Sequence, residues 1–168
     1  MSEALRTIFL VMLFVGIMTI QMNMDADKTT ARQLKNILEL ATHDAALALD
    51  ESQLSEGRIV FDQVQAKEYL KESITHNMKV DNVLGDQEIY QPADDSYYHD
   101  SLYITDMIFL DDLNISSFPY HYTNASYGID TIINGPTIFV VGSIQSPRYF
   151  AGNGVLIEKT VMYEYFQY

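Results

Sequence analysis

Residues 8–24 read IFLVMLFVGIMTIQMNM, and between Ile8 and Ile20 only Thr19 is polar. Leu5 extends this run backwards; Met22 and Met24 extend it forwards past Gln21 and Asn23. About 20 apolar helical residues cross a hydrocarbon core of roughly 30 Å. The pattern therefore predicts a transmembrane anchor over residues 1–24 and an α+β domain over 25–168. A cleaved signal peptide fits less well, because the start MSEALRT is barely basic and QMNMD offers no small-x-small site.

The periodicity then changes. No Gly or Pro interrupts residues 25–50, and at about 100° per residue two arcs separate. Arg32, Lys35, Asn36, Glu39, Thr42, His43 and Asp50 form a polar arc. Leu34, Ile37, Leu38, Leu40, Ala41, Ala45, Leu47, Ala48 and Leu49 form an apolar one. An amphipathic helix over 25–54 follows, continuous with the anchor and stopped by Gly57. Ala41, Ala45 and Ala48 make its apolar face shallow, so that another backbone or sheet can approach. Asp44 falls within the apolar arc between Leu40 and Ile37; the reading expects it to be buried with a partner, since a lone buried carboxylate is costly.

Beyond Gly57, RIVF (58–61) is a short strand candidate. Asp62 and Gln65 have capping-box spacing, which predicts a second helix over 63–78 with Ala66, Leu70 and Ile74 as its apolar stripe. Residues 81–100, rich in Asp and carrying Gly85 and Pro92, read as a loop. From 102 onward the alternation is strand-like. LYITDMIFL (102–110) sets Leu102, Ile104, Ile108 and Leu110 on one face. Residues 129–133 and 137–144 flank Asn134-Gly135, a hairpin signal. TIFVVGSI is apolar on both faces and so predicts a central strand. After the turn Gly152-Asn153-Gly154, residues 155–165 place Val155, Ile157, Val161, Tyr163 and Tyr165 on one face. The expected fold class is α+β: a long N-terminal helix, transmembrane then amphipathic, packed on a C-terminal antiparallel β-sheet within 102–168.

Charge narrows the functions. The 168-residue chain has a formal net charge of −13, which argues against a nucleic-acid partner and against adhesion to anionic head groups. With no cysteine there is no disulfide framework and no thiol nucleophile. His43, His76, His99 and His121 lack metal-ligand spacing, and no Walker loop, G-x-G-x-x-G or G-x-S-x-G occurs. No enzyme activity, metal or cofactor is expected. In the acidic loop 92–100, Asp94, Asp95 and Asp100 are weighed as Ca²⁺ ligands, but the EF-hand pattern is absent and a solvated loop is the commoner reading. Tyr97, Tyr98, Tyr120, Tyr122 and Tyr127 fit either a contact surface for other subunits or plain strand propensity. Asn114 and Asn124 match the glycosylation acceptor pattern, read as coincidence.

An apolar N-terminal helix that continues as an amphipathic helix on an antiparallel sheet resembles the type IV pilin and pseudopilin architecture. ELATHDAALALD, residues 39–50, is similar to the helix that follows the anchor in pilin-like proteins of tight-adherence (Tad) secretion systems. The resemblance implies a non-enzymatic subunit whose partners are copies of itself or other pilin-like subunits, with membrane lipid around the anchor. It gives Glu3 the part of the pilin glutamate, a carboxylate that pairs with a neighbour's amino terminus, although Glu3 stands third rather than fifth and no Gly precedes it; if the chain is complete, the prepilin peptidase is expected to find no site. Gly16, Gln21 and Asn23 would assist helix–helix assembly inside the membrane. Arg6 against Lys28, Arg32 and Lys35 slightly favours a cytoplasmic domain; the cysteine-free, tyrosine-rich composition favours the outside, and that is the orientation expected. The alternative is a single-pass accessory protein of a secretion or conjugation apparatus that binds a partner without polymerising.

Overall fold

A computed structural model describes residues 2–85, 89–150 and 152–165. Met1 of the expected anchor and 166–168 of the expected sheet region lie outside them. The fold is α+β. Helix α1 (Ser2–Ala46) is followed by α2 (Glu51–Ser55) and α3 (Gln63–Met78). Seven strands come next: β1 (Val80–Leu84), β2 (Ile89–Pro92), β3 (Leu102–Leu110), β4 (Tyr120–Asn124), β5 (Ile129–Ile133), β6 (Thr137–Gln145) and β7 (Leu156–Glu164). Five form an antiparallel sheet in the order β1-β2-β3-β6-β7, and β4 and β5 form a separate two-stranded sheet.

The C-terminal half of α1 lies across the large sheet, with α3 beside it. Leu34, Leu38, Ala41 and Ala45 of α1 share one core with Leu70 and Ile74 of α3 and with Ile138, Val140, Ile144 and Val161 of the sheet. The opposite face of the sheet is covered by the β4–β5 hairpin, whose Ile129 and Ile133 pack on Leu110 and Phe139. This double cover is why β6, central as expected, is apolar on both faces. β7 keeps the predicted alternation from Ile157 on, with Ile157, Val161, Tyr163 and Tyr165 toward the helix, whereas Val155, expected on the same face, precedes the strand and is exposed.

Helix α3 has the predicted bounds. Asp62 caps it by accepting from the N–H groups of Val64 and Gln65, and Ala66, Leu70 and Ile74 are buried. Gly57, at φ 78°, follows α2, with its N–H donating to the Leu54 carbonyl.

Five expectations are corrected. The helix does not run to residue 54. It ends at Ala46, the N–H groups of Leu47 and Ala48 turning back to the carbonyls of Asp44 and Ala45, and Asp50 then caps α2 by accepting from Ser52 and Gln53. RIVF makes only an isolated bridge, Leu49 to Phe61, and the N–H groups of Arg58, Ile59 and Phe61 turn to other partners: that of Ile59 donates to the Asp112 carboxylate at 2.7 Å. Residues 81–100 are not wholly loop. β1 and β2 pair there around Gly85 at φ 69°, hidden from periodicity because β1 is a mostly exposed edge strand.

β5 does not pair with β6. Asn134-Gly135-Pro136 is a crossover between sheets: Pro136 accepts from the Tyr165 N–H at 2.9 Å, and a Cβ on Gly135 would meet the Tyr165 carbonyl oxygen. Only glycine fits so close a backbone approach. Lastly, β3 does not keep one face. A bulge between Ile104 and Asp106 exchanges its faces, so that Leu102, Ile104, Met107 and Phe109 meet the helix side while Ile108 and Leu110 meet the hairpin.

Candidate assembly helix and its seam on the sheet

Helix α1 is two things in sequence. Near the N-terminus it is long and apolar enough to cross a membrane, and none of that stretch is buried by the rest of the chain. Leu5, Phe9, Met12 and Ile20 are exposed. From Ala26 onward the same helix becomes the spine of the domain, with Ala26, Thr30, Leu34, Leu38 and Ala41 buried. The change comes where the apolar run meets DADKTT, whose Asp27 has partners on the domain.

Asp27 holds the near end of this seam. Its Oδ1 accepts from Arg148 Nη1 and from Ser146 Oγ, each at 2.5 Å, and its Oδ2 accepts from Arg148 Nη2 at 3.2 Å. Asp27 lies beyond the apolar run; hydrogen bonding from Arg148 lowers its carboxyl pKa, outweighing the desolvation that raises it, and Ser146 adds to the lowering. Tyr97 adds a second tie at this level, its hydroxyl donating to the Ala26 carbonyl at 3.3 Å beside Thr30 Oγ1. At the far end, Tyr165 Oη donates to the carbonyl of Ala46 at 2.5 Å. That carbonyl is one of the acceptors a helix C-terminus leaves open. Between the two ends His43 meets the Tyr163 ring edge-on, with centroids 5.0 Å apart. β7 thus runs alongside α1 in the same direction, its start near Asp27 and its end near Ala46.

The residues singled out from the sequence separate into two groups. Glu3, Gly16 and Gln21 are exposed on the uncovered half of the helix. The Glu3 carbonyl accepts from Thr7 Oγ1, and a Cβ on Gly16 would meet nothing within 4 Å, so that side stands open to a neighbour. Asn23 is half-buried, its Oδ1 enclosed without a hydrogen-bond partner among the described residues. Ala41, Ala45 and Ala48, by contrast, are buried in the domain's own core. Their shallow surface serves the close approach expected of a sheet, and it is closed to another subunit while the domain is folded.

The burial expected for Asp44 is corrected: its side chain is 38% exposed and stands 3.4 Å from His43 Nδ1. It borders an open cleft with Leu47, Tyr69, Glu72 and Ser73. The true buried stripe is rotated from the predicted arc. It takes in Thr42, whose Oγ1 donates to the Leu38 carbonyl at 2.6 Å, and leaves Leu40 and Leu47 exposed.

Among the described residues no three His, Asp or Glu side chains converge as a metal site. In the acidic loop Asp95 pairs with Lys79 at 2.8 Å. Of the tyrosines, Tyr98 is buried, Tyr122 packs on Phe139 at 5.4 Å and Tyr120 stays exposed. The Asp27–Arg148 pairing had no signal in the sequence, since 121 positions separate its members. No protein-family model, curated protein or solved structure matches this chain.

Proposed function

We propose that this chain is a non-enzymatic, pilin-like structural subunit, held in the cell membrane by the first half of α1 and assembling through that half with copies of itself or with similar subunits. One observation carries the reading. A single unbroken helix of 45 residues serves both as the spine of the domain and, over its apolar half, as a surface that its own domain leaves uncovered. Such a surface needs lipid or neighbouring helices around it. Gly16 supplies a point where another helix can approach closely. In this reading the domain stands outside the cell.

Electron microscopy of sheared, detergent-free fractions tests the proposal. Filaments that contain the chain support it. Recovery from membranes alone favours the accessory-protein reading, in which the same anchor presents the domain to a partner without polymerising. Protease added to intact protoplasts should digest the domain; digestion only after lysis would reverse the orientation.

A further inference from the structure

The Asp27–Arg148 pair sets the height of one loop above the membrane. Helix rise is about 1.5 Å per residue, so Asp27, three positions past Met24, stands roughly 4.5 Å above the end of the apolar run. The interfacial and head-group regions of a bilayer are several ångströms deep on each side of the hydrocarbon core. Asp27 therefore lies inside that layer when the apolar run spans the membrane. Ser146 and Arg148, bonded to it, lie at the same height.

These two residues begin the β6–β7 loop. The strands run along the helix axis, and the loop closes the end of the sheet nearest the apolar run. The Ser146 N–H donates to the Val155 carbonyl at 2.9 Å, and Arg148 Nε donates to the Asn153 carbonyl at 3.1 Å, so both limbs are held to the same anchor point. Between 147 and 156 the only charged residue is Arg148, and Asp27 neutralises it. The loop and the first residue of β7 nevertheless expose four large apolar or aromatic side chains: Tyr149 (54%), Phe150 (44%), Val155 (50%) and, in β7, Leu156 (67%). On a chain of net charge −13 an uncharged, aromatic-bearing patch at this height is out of keeping with ordinary solvent exposure. Aromatic side chains favour the membrane–water interface.

We infer that the β6–β7 loop is a second membrane contact, with Tyr149, Phe150, Val155 and Leu156 resting in the interfacial layer beside the emerging helix. The contact is apolar and aromatic, not charge-driven, so neutral lipid suffices. It fixes the rotation of the helix and its domain relative to the membrane, because a single spanning helix alone leaves rotation about its axis free. The inference rests on the membrane-anchor reading above.

The chain has no tryptophan, so one introduced residue reports alone. Phe150→Trp and Leu156→Trp are compared with Leu113→Trp, which lies past the far end of β3. Each full-length variant is reconstituted into phosphatidylcholine vesicles, with and without bromine on the acyl chains, and floated on a gradient. The expected result is co-flotation of all three, with emission at 150 and 156 blue-shifted, quenched by bromolipid and severalfold less accessible to acrylamide than at 113. Co-flotation with all three equally open to acrylamide and indifferent to bromolipid would overturn the loop contact and leave the anchor standing. Failure to co-float would overturn both.

Discussion

Leu38 of α1 rests on the α-carbon of Gly142 in the central strand: a Cβ placed on Gly142 would lie 3.0 Å from Leu38 Cδ1 and 3.1 Å from Cδ2. Ile104 of the neighbouring strand closes the third side at 3.4 Å. Both Leu38 and Gly142 are buried, so the leucine has little room to give way. Gly142→Ala should lower stability by about 1–3 kcal/mol through overpacking. Thermal melts of the full chain in detergent check this, and Leu38→Ala in the same background should restore part of the loss.

The seam at Asp27 should respond to acid. The folded-state pKa of Asp27 is lowered, so the unfolded state binds the proton more readily. Its stabilisation is complete above the ordinary carboxylate value of about 3.9 and is lost as pH falls through the folded value. Asp27→Asn should destabilise by about 1–3 kcal/mol at neutral pH, since it leaves Arg148 with a weakened partner. The variant should also show a flatter stability profile below pH of about 4. Melts of both proteins across that range measure the difference.

Three tyrosines should behave differently when their hydroxyls are removed. Tyr165→Phe loses the bond to the Ala46 carbonyl and should cost about 1 kcal/mol. Tyr90 and Tyr98 are buried with hydroxyls that have no hydrogen-bond partner among the described residues. Burial pushes both phenols up in pKa, so they stay neutral. Tyr90→Phe and Tyr98→Phe should be neutral or stabilising, by up to about 1 kcal/mol. Denaturant midpoints of the three variants give the comparison.

Adjacent positions on α1 should differ sharply. Asp44 is partly exposed, and Asp44→Ala should change stability by about 0.5 kcal/mol or less. Ala45 is fully buried beneath the sheet and α3, and Ala45→Leu should cost about 1–3 kcal/mol. Similar losses at the two positions would show that Asp44 has a buried partner in the assembled state.

At Asp62, replacement by Ala should cost about 0.5–2 kcal/mol by removing the acceptor for two N–H groups of α3. Circular dichroism during thermal unfolding reports it, and Asp62→Asn should retain most of the stability.

Local chemistry alone determined several parts of this protein. The uncharged run before Asp25 makes a long apolar helix whatever the rest of the chain does. Asp62 with its following residues starts α3, and the alternation through residues 155–165 makes β7. These signals lie within a few positions of each other, and backbone geometry reads them directly. The break after Ala46 belongs with them, because Asp50 and Gln53 repeat the Asp62–Gln65 spacing, although the surrounding Leu and Ala masked it.

Contacts between distant segments decided the rest. The bulge in β3 turns Ile108 and Leu110 away from the helix, because the sheet has two covered faces and each needs apolar side chains. Asn134-Gly135 has the composition of a hairpin turn but serves as a crossover, with β5 paired to β4 and Ile129 and Ile133 buried against Leu110 and Phe139 on the far face of the large sheet. Thr42 is buried and Leu40 exposed because the angle at which α3 and the sheet meet α1 fixes the interface, and helical periodicity alone does not contain that angle. The same holds for Asp27 and Arg148. Neither residue announces the other across 121 positions, and only the parallel run of β7 beside α1 brings them together.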